Sequence, residues 1–357
     1  MSDQPDLLAV KQSVPDEGDL KNNRLPFAGH PDIPGSVSLS FEEADRIAHL
    51  PFEGKHISFG SVNKQPNVDI IVGAPGGGKG ALARKIVIPS MTPVQQEATI
   101  GIAYDEPLFG KDGALFNIPE YVDVLEKVDP RYKTLDSQLD ETTYGNRKLL
   151  WNLFRPLSQK IRSMTFNRAI EEKFSLLIDT TGSSPGTFRM MDTLRDNGYD
   201  NICLHGVYAP FELSRERVKS RPRPGDLIED LVKKRIGFLD QLPKYCQDES
   251  IKSFKFYYNP DNASLPCLAF HFSHGKLQFA DINAVRKIQE SLDEDRDIIK
   301  AEIDALPDHQ LKDLDLDEYN SLLHHYAEAA NACYEYLQAI QDKFPNPPDT
   351  SVFPGPE

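Results

Sequence analysis

Cysteine is scarce in this sequence and is never clustered. The 357 residues include four cysteines, Cys203, Cys246, Cys267 and Cys333, and their spacing excludes a C-x-x-C metal knuckle or a dense disulfide framework. A chain of this length can bury a sizeable core without disulfides, as one large domain or two smaller ones. We therefore expect a reducing compartment, and we interpret all four thiols as packing residues.

Long apolar runs are also missing. No stretch approaches the roughly 20 apolar residues that a membrane span requires. The opening segment, MSDQPDLLAVKQSVPDEGDL, carries acids and prolines where a secretion signal needs a basic start and an apolar run. We expect a cytoplasmic protein that does not bind membranes, with delivery into another cell by a different signal left open.

Positive charge is in short supply. The chain has 40 Lys and Arg against 55 Asp and Glu, so its formal net charge is −15. A field of this sign repels polyanions and argues against general binding to nucleic acid. A small anionic substrate would need a local basic pocket.

The two ends of the chain differ from its middle. Residues 1–38 are polar and rich in Pro, Asp and Ser, which predicts a flexible segment, and Ser40 followed by Glu43 predicts a capping box at the first helix. Residues 281–344 are acidic with helical spacing and predict a helical extension, with a coiled-coil or partner-binding role as the alternative. Residues 345–357 are rich in proline and predict a disordered tail.

Short apolar runs alternate with helix-like segments across the body of the chain, residues 39–280. The runs are VDIIV (68–72), ATIGIAY (98–104), FSLLID (174–179), NICLHGVY (201–208) and SFKFYY (253–258). Strands in series with helices imply a parallel sheet covered on both faces. The sequence therefore predicts an α/β fold in three layers with a mostly parallel central sheet.

The stretch GAPGGGKGALARK begins at Gly73, between the run VDIIV and a helix-like segment. The pattern G-x-x-x-x-G-K in this context is that of a phosphate-binding P-loop (Walker A). Glycines let backbone N–H groups turn toward phosphate oxygens, the following helix adds its positive end, and the lysine can reach the outer phosphates. The predicted nucleotide-binding residues are Gly73, Ala74, Pro75, Gly76, Gly77, Gly78, Lys79, Gly80 and Ala81. A Gly-rich turn between strand and helix is the alternative.

One expected group is absent from this loop. The Ser or Thr that usually follows the lysine supplies a hydroxyl to Mg²⁺, but here Gly80 and Ala81 follow Lys79. Other oxygens and water would then have to hold the metal, or catalysis would be weak.

Polar residues follow two further predicted strands, at the edge of the sheet where ligands bind in parallel α/β folds. Asp105 and Glu106 follow what we interpret as the strand beside the P-loop strand, and Asp105 can accept a proton from an attacking hydroxyl. Asp179 ends the run FSLLID, ahead of Thr180 and Thr181, and can hold Mg²⁺. The alternatives are a solvated turn at residues 105–106 and a turn cap at Asp179.

A basic run, ELSRERVKSRPRPGDLIEDLVKKR, follows the fourth apolar run. It places Arg217 and Arg221 four residues apart on one helix face, with Arg223 just beyond and Arg235 downstream. Guanidinium groups bind phosphates bidentately and neutralise the charge on a transferred phosphoryl group. We predict a mobile lid that closes over the nucleotide, the alternative being a solvated basic face.

In order along the chain, GAPGGGKG, LLIDTTG, ERVKSRPRPGDLIEDLVKKR and FKFYYNPDN resemble the zeta toxin family of P-loop kinases over roughly residues 67–263. The phosphate loop alone is also similar to that of adenylate kinases, which have a threonine at the position of Ala81. The resemblance implies a P-loop kinase that uses ATP or GTP with Mg²⁺. Its acceptor would be a hydroxyl of a nucleotide sugar such as UDP-N-acetylglucosamine.

The resemblance also implies residue roles. Lys79 would bind the β and γ phosphates, Asp105 would be the base with Glu106 next to it at the substrate, and Arg217 and Arg221 would contact phosphates. Asp179 would lie beside the substrate, with Thr180 near the phosphates. The arginine that follows the family's aspartate has no obvious equivalent here, and Asp129 and Arg131 are candidates for a displaced substrate-binding pair.

Three other functions fit parts of the pattern. The adenylate-kinase wording of the loop suggests a nucleoside monophosphate kinase. The missing hydroxyl, together with the acidic C-terminal helices, suggests a nucleotide-binding interaction protein with weak or no catalysis. A polynucleotide kinase is disfavoured by the net charge.

Overall fold

The computed structural model describes residues 23–24, 32–55, 66–103, 113–129, 141–219, 228–304 and 316–343. The strands are β1 (Asn23–Arg24), β2 (Ser36–Val37), β3 (Asn67–Val72), β4 (Thr99–Ile102), β5 (Ser175–Thr180), β6 (Asn201–Tyr208), β7 (Ser253–Tyr258), β8 (Cys267–Ser273) and β9 (Lys276–Ala280). The α-helices are α1 (Phe41–His49), α2 (Lys79–Leu82), α3 (Pro93–Glu97), α4 (Pro119–Val128), α5 (Glu141–Glu171), α6 (Gly186–Asp196), α7 (Phe211–Lys219), α8 (Ile228–Gln247), α9 (Ile282–Asp304) and α10 (Leu316–Lys343).

A seven-stranded sheet forms the centre of the protein, in the order β4-β5-β3-β6-β7-β8-β9. The pairings from β4 to β7 are parallel, and β8 and β9 add an antiparallel edge. The prediction of an α/β fold with a mostly parallel central sheet is confirmed. Each of the five predicted apolar runs forms a strand.

The lateral order of the sheet corrects one interpretation. The strand beside β3 on that side is β5, and β4 lies beyond it at the edge. The strand that precedes Asp105 is therefore not the neighbour of the phosphate-loop strand. Hydrophobic runs predict that strands exist, but burial on both faces makes such runs nearly interchangeable in lateral position.

The burial of β3 holds the loop end of the sheet in place. Val68, Ile70, Ile71 and Val72 are completely enclosed, as expected for a central parallel strand. On one face, Ile71 shares a hydrophobic cluster with Leu82, which lies just after the phosphate loop. Each such fully buried side chain contributes roughly 1.5–3 kcal/mol, so the loop is anchored at both of its ends.

The C-terminal helices α9 and α10 lie within the segment predicted as a helical extension. Ile288 of α9 and Leu337 of α10 belong to the same hydrophobic cluster as the sheet residues Ile70 and Phe256. These helices therefore share the core of the body. Within the described ranges, no helix is long and apolar enough to cross a membrane.

Local details differ from the predictions at several points. Ser40 caps α1 by accepting the Glu43 N–H at 3.1 Å, but the Glu43 carboxylate pairs with Arg46 at 2.7 Å, so only half of the capping box forms. Strand β2 and the buried Ile33 lie within the segment predicted to be flexible.

The cysteines divide by position. Cys246 and Cys333 are buried and Cys203 is half-buried, but Cys267 is exposed at the start of β8. The packing interpretation is therefore wrong for Cys267, because the chain there has only begun to pair with the end of β7.

Candidate functional site

The phosphate loop runs from the end of β3 to the start of α2 and depends on two left-handed glycines. Gly76 has φ +75° and Gly78 has φ +98°. A Cβ atom on Gly76 would lie 2.1 Å from the Ser214 carbonyl oxygen, and one on Gly78 would lie 2.0 Å from Asn259 Nδ2. Only glycine fits both the backbone conformation and the close approach of these neighbours.

Side chains hold three loop carbonyls. Lys79 Nζ donates to the Gly73 carbonyl at 2.9 Å, Arg217 Nη1 to that of Gly76 at 3.1 Å, and Asn259 Nδ2 to that of Gly77 at 3.2 Å. Because the C=O and N–H of one peptide unit point in opposite directions, these bonds direct the N–H groups of Ala74 and Gly78 to the other side of the loop, whereas the Gly77 N–H donates to the Ala74 carbonyl at 3.0 Å. Such an arrangement of amides forms a concave anion site.

Lys79 and Asp179 meet at the floor of the loop. Lys79 is 8 % exposed, and its ammonium lies 3.8 Å from Asp179 Oδ1. Strand pairing sets this approach, since Asp179 stands opposite Ile71 at the end of the neighbouring strand. Asp179 Oδ1 is buried and accepts no hydrogen bond from the described residues. A carboxylate oxygen in that position retains capacity for a cation or a donor.

The residues after Asp179 are part of the same edge. Thr181 accepts the Gly73 N–H through its carbonyl at 3.2 Å, and its hydroxyl lies 2.8 Å from Ser183 Oγ. Thr180 stands opposite Val72, the last residue of β3. The structure therefore places Thr180, Thr181 and Asp179 beside the loop, as the strand-end rule predicts.

Arg162, on α5, is a residue that the sequence did not single out. It is 2 % exposed, and its Nη2 donates to the Asp179 carbonyl at 3.1 Å. The guanidinium thus contacts the backbone at the carboxyl end of β5. One of four arginines within a long helix gives no sequence signal for such a position.

Arg217 lies at the loop, at the end of α7. Besides the Gly76 carbonyl, it donates through Nε to Asn262 Oδ1 at 2.7 Å and through Nη2 to the Asp261 carbonyl at 2.6 Å. Hydrogen bonds from Ser264 hold the pKa of Asp261 below its ordinary value, with a smaller contribution from the charge of Arg217. The guanidinium thus joins the phosphate loop to the segment that follows β7.

Asn259, Asp261 and Asn262 were missed as site residues, although a signal for them existed. The segment NPDN follows a parallel strand at the same edge of the sheet as the phosphate loop. The rule that selected residues after β4 and β5 selects this segment equally well.

Other predicted site residues divide into two groups. Asp129, at the end of α4, is 1 % exposed and forms a buried ion pair with Arg147 of α5, whose pKa is lowered chiefly by burial. Arg235 is also buried, in an ion pair with Asp295. The remaining predicted residues, Asp105, Glu106, Arg131, Arg221 and Arg223, lie outside the described residues.

Gly80 and Ala81 lie in the first helical turn after the loop, which begins at Lys79. A Cβ atom on Gly80 would lie 3.2 Å from Arg84 Nη2, so a guanidinium stands where a hydroxyl-bearing residue would project. Among the described residues, no cluster of three or more His, Cys, Asp or Glu side chains could hold a metal ion. Asp179, the predicted metal ligand, has a buried carboxylate oxygen that accepts no hydrogen bond from the described residues.

Comparisons with known proteins point to one family. Residues 121–230 match the family described as Zeta toxin, a range that includes Asp179 and Arg217 and begins after the phosphate loop. No curated protein matches the chain.

Three of the solved structures that align with this chain do so at low similarity. The AvrRxo1-ORF1:AvrRxo1-ORF2 complex with sulphate ions aligns with a TM-score of 0.45 and 13 % identity, over 82 % of this chain and 86 % of that one. The same pair with ATP aligns at 0.41 and 12 %, over 82 % and 86 % of the two chains. A structure of the PezAT toxin–antitoxin system of Streptococcus pneumoniae aligns at 0.39 and 17 %, over 62 % and 79 %. Values this low assign no individual residue.

The matched range contains strands β5 and β6 and the helix that carries Arg217, and these elements surround the loop built on β3. The family match and this loop agree with the predicted class of P-loop phosphotransferase. Over residues 121–230 the chain is similar to the zeta toxin family.

Proposed function

We propose that this protein transfers the γ-phosphoryl group of ATP or GTP to a hydroxyl of a small molecule. A nucleotide sugar such as UDP-N-acetylglucosamine is the acceptor class that the family implies. The observation that carries the proposal is the loop itself, whose carbonyls are held by Lys79, Arg217 and Asn259 while the open Asp179 oxygen faces the lysine.

In this mechanism the protein mainly binds, orients and neutralises charge. The loop amides would bind the phosphates, and the Lys79 ammonium would exchange its loop carbonyl for oxygens of the β and γ phosphates. Asp105 would accept the proton of the acceptor hydroxyl as that oxygen bonds to the γ phosphorus and the bond to the β-phosphate oxygen breaks. Arg221 and Arg223 would contact phosphates, and Glu106, Thr180 and Thr181 would contact the acceptor.

Magnesium fits this site at one carboxylate. When bound, Mg²⁺ would neutralise the developing charge on the phosphates, with Asp179 Oδ1 as its protein ligand, directly or through water. The loop offers it no hydroxyl, because Gly80 and Ala81 occupy the two positions after the lysine. The other ligands would then be phosphate oxygens and water.

The observed contacts change the roles proposed for two residues, Arg217 as a phosphate contact and Asp129 as a substrate contact. For Arg217 we propose that it braces the loop, since its described bonds go to the backbone and to Asn262. For Asp129 we propose that it supports the fold of α4 and α5 through Arg147. Arg131 remains a proposed substrate residue.

The test is a phosphorylation assay on a metabolite mixture with labelled ATP, read by mass spectrometry. We expect one phosphorylated species with the native protein and none with Lys79→Ala, because that change removes the cation at the outer phosphates. Lys85→Ala, an exposed lysine in the next turn, is the matched control and should keep the activity. Failure of the native protein to bind ATP or GTP in calorimetry would contradict the proposal.

The same assay separates the second candidate. The absence of a loop hydroxyl favours a nucleotide-binding protein with slow catalysis, whose protein partner would contact the exposed acids of α9, such as Glu290, Asp293 and Asp297. That candidate gains if ATP binds through Lys79 but no acceptor is labelled. Label on a mononucleotide would instead indicate a nucleoside monophosphate kinase.

A further inference from the structure

Gly80 follows the loop lysine, and the Arg84 guanidinium lies where the side chain of a Ser or Thr at this position would project. A Cβ atom on Gly80 would meet Arg84 Nη2 at 3.2 Å, Nη1 at 3.3 Å and Cζ at 3.5 Å. Both terminal nitrogens are closer than the central carbon, so the guanidinium presents its two-nitrogen edge to this position. A Ser or Thr in place of Gly80 would have to displace it.

We propose that Arg84 binds oxygens of the nucleotide triphosphate at the place where most phosphate loops present a hydroxyl to magnesium. The inference deepens the proposed function and depends on it. Arg84 would then carry part of the charge neutralisation otherwise left to the metal. Consequently, nucleotide binding in this protein should depend weakly on Mg²⁺.

The bonding of the neighbouring cations supports this assignment. Lys79 and Arg217 donate to loop carbonyls, and Lys79 also faces Asp179. Arg84 is exposed and, within the described ranges, forms neither an ion pair nor a hydrogen bond. A guanidinium whose donors remain open beside a phosphate loop has the geometry to bind two phosphate oxygens at once.

The local backbone provides a second observation. The helix that starts at Lys79 changes to π-helical winding at Ala83–Val87, which includes Arg84. Pro89 contributes to this change, because it lacks the N–H that would bond to Lys85 in an α-helix. Single π-helical turns within α-helices are frequently found at functional sites.

The competing explanation is a solvated arginine that only covers Gly80. Calorimetric titration with ATP distinguishes the two, run once with Mg²⁺ and once with EDTA. We expect Arg84→Ala to weaken ATP binding in EDTA about tenfold, the loss that one charge-assisted phosphate contact predicts. Lys85→Ala removes the same charge one residue away and should change binding less than twofold.

A second pair of variants tests the geometry. Arg84→Lys keeps the charge but loses the fork, and we expect an intermediate loss. Gly80→Ser combined with Arg84→Ala restores a hydroxyl without the guanidinium. Since Gly80 has no positive φ, serine is compatible with the backbone there. This double variant should recover ATP binding when Mg²⁺ is present and remain weak in EDTA.

Each outcome decides the inference. Equal effects of Arg84→Ala and Lys85→Ala in EDTA would overturn it while leaving the proposed function intact, provided that the native protein still binds ATP. Loss of ATP binding by the native protein itself would overturn both. Circular dichroism melts of every variant test whether unfolding causes a loss of binding. Since Arg84 and Lys85 are both exposed, we expect melting temperatures close to that of the native protein.

Discussion

Two arginines from the same basic run of sequence have different positions in the fold. Arg217 lies at the phosphate loop, where its described bonds go to two backbone carbonyls and one amide oxygen. Arg235 lies in the core, 1 % exposed, and pairs with the Asp295 carboxylate. Arginines of one basic run therefore need not share a surface. Arg235 is buried and pairs with a carboxylate in the core, whereas Arg217 is partly exposed and holds the phosphate loop.

The buried pair extends into a network. Asp295 also accepts the Tyr208 hydroxyl at 2.7 Å and the Phe211 N–H at 2.7 Å. Burial raises the pKa of Tyr208 well above its ordinary value. Burial alone would lower the pKa of Arg235, but Asp295 raises it overall, so this arginine stays charged.

This network connects the buried Arg235–Asp295 pair with the helix that carries Arg217. Phe211 is the first residue of α7, and Arg217 leaves the same helix near its end. Asp295 thus fixes the start of the helix that braces the phosphate loop. A residue of the C-terminal extension therefore supports the candidate site through one helix.

Removal of the buried carboxylate is expected to have the largest effect. Asp295→Ala leaves the Arg235 charge buried without its partner, and we expect a loss of about 3–5 kcal/mol in the free energy of unfolding. Urea denaturation followed by circular dichroism measures it. Asp297→Ala, an exposed carboxylate on the same helix, is the control and should change stability by less than about 0.5 kcal/mol. Similar values for both variants would contradict an anchoring role.

The loop brace should respond in the opposite way. We expect Arg217→Ala to cost only about 1 kcal/mol of stability, because its bonds are partly solvated, yet to weaken ATP binding about tenfold by releasing the Gly76 carbonyl. Arg217→Lys should rescue little, since lysine lacks the fork that reaches three acceptors. Arg215→Ala is the control, because that guanidinium lies 3.9 Å from Glu212 in its own helix. If Arg217→Ala greatly reduced the free energy of unfolding but left ATP binding unchanged, Arg217 would be a structural residue like Arg235.

The sequence allowed the strands and the phosphate loop to be predicted, but not which strands lie side by side in the sheet. Hydrophobic runs mark where strands form, and β3, β5, β6 and β7 lie within one residue of the predicted runs. Lateral order was not predictable, because β4 and β5 are equally apolar and only packing decides which adjoins β3.

The site follows the same division. Lys79 and Asp179 were predictable because the loop pattern and the strand end fix their places in the chain. The bond between Asn259 and the Gly77 carbonyl joins residues far apart in sequence, so no local pattern encodes it. The position of Arg84 over Gly80 depends on the helical winding of residues 83–87, which the sequence does not specify.

The smallest effect is expected from Asn259, the uncharged side chain that holds a loop carbonyl. Asn259→Ala removes one hydrogen bond to the loop, which predicts a loss of about 1 kcal/mol in stability and a severalfold weaker binding of ATP. Asn259→Asp should bind ATP still more weakly than Asn259→Ala, because a carboxylate next to the Gly77 carbonyl would repel both that oxygen and the phosphates. Asn262→Ala removes a bond to Arg217 and none to the loop, so calorimetry of this variant beside Asn259→Ala separates the two braces. If Asn259→Asp bound ATP as well as the native protein, the Gly77 carbonyl would not need a donor, and Lys79, Arg217 and the glycines would be sufficient to shape the loop.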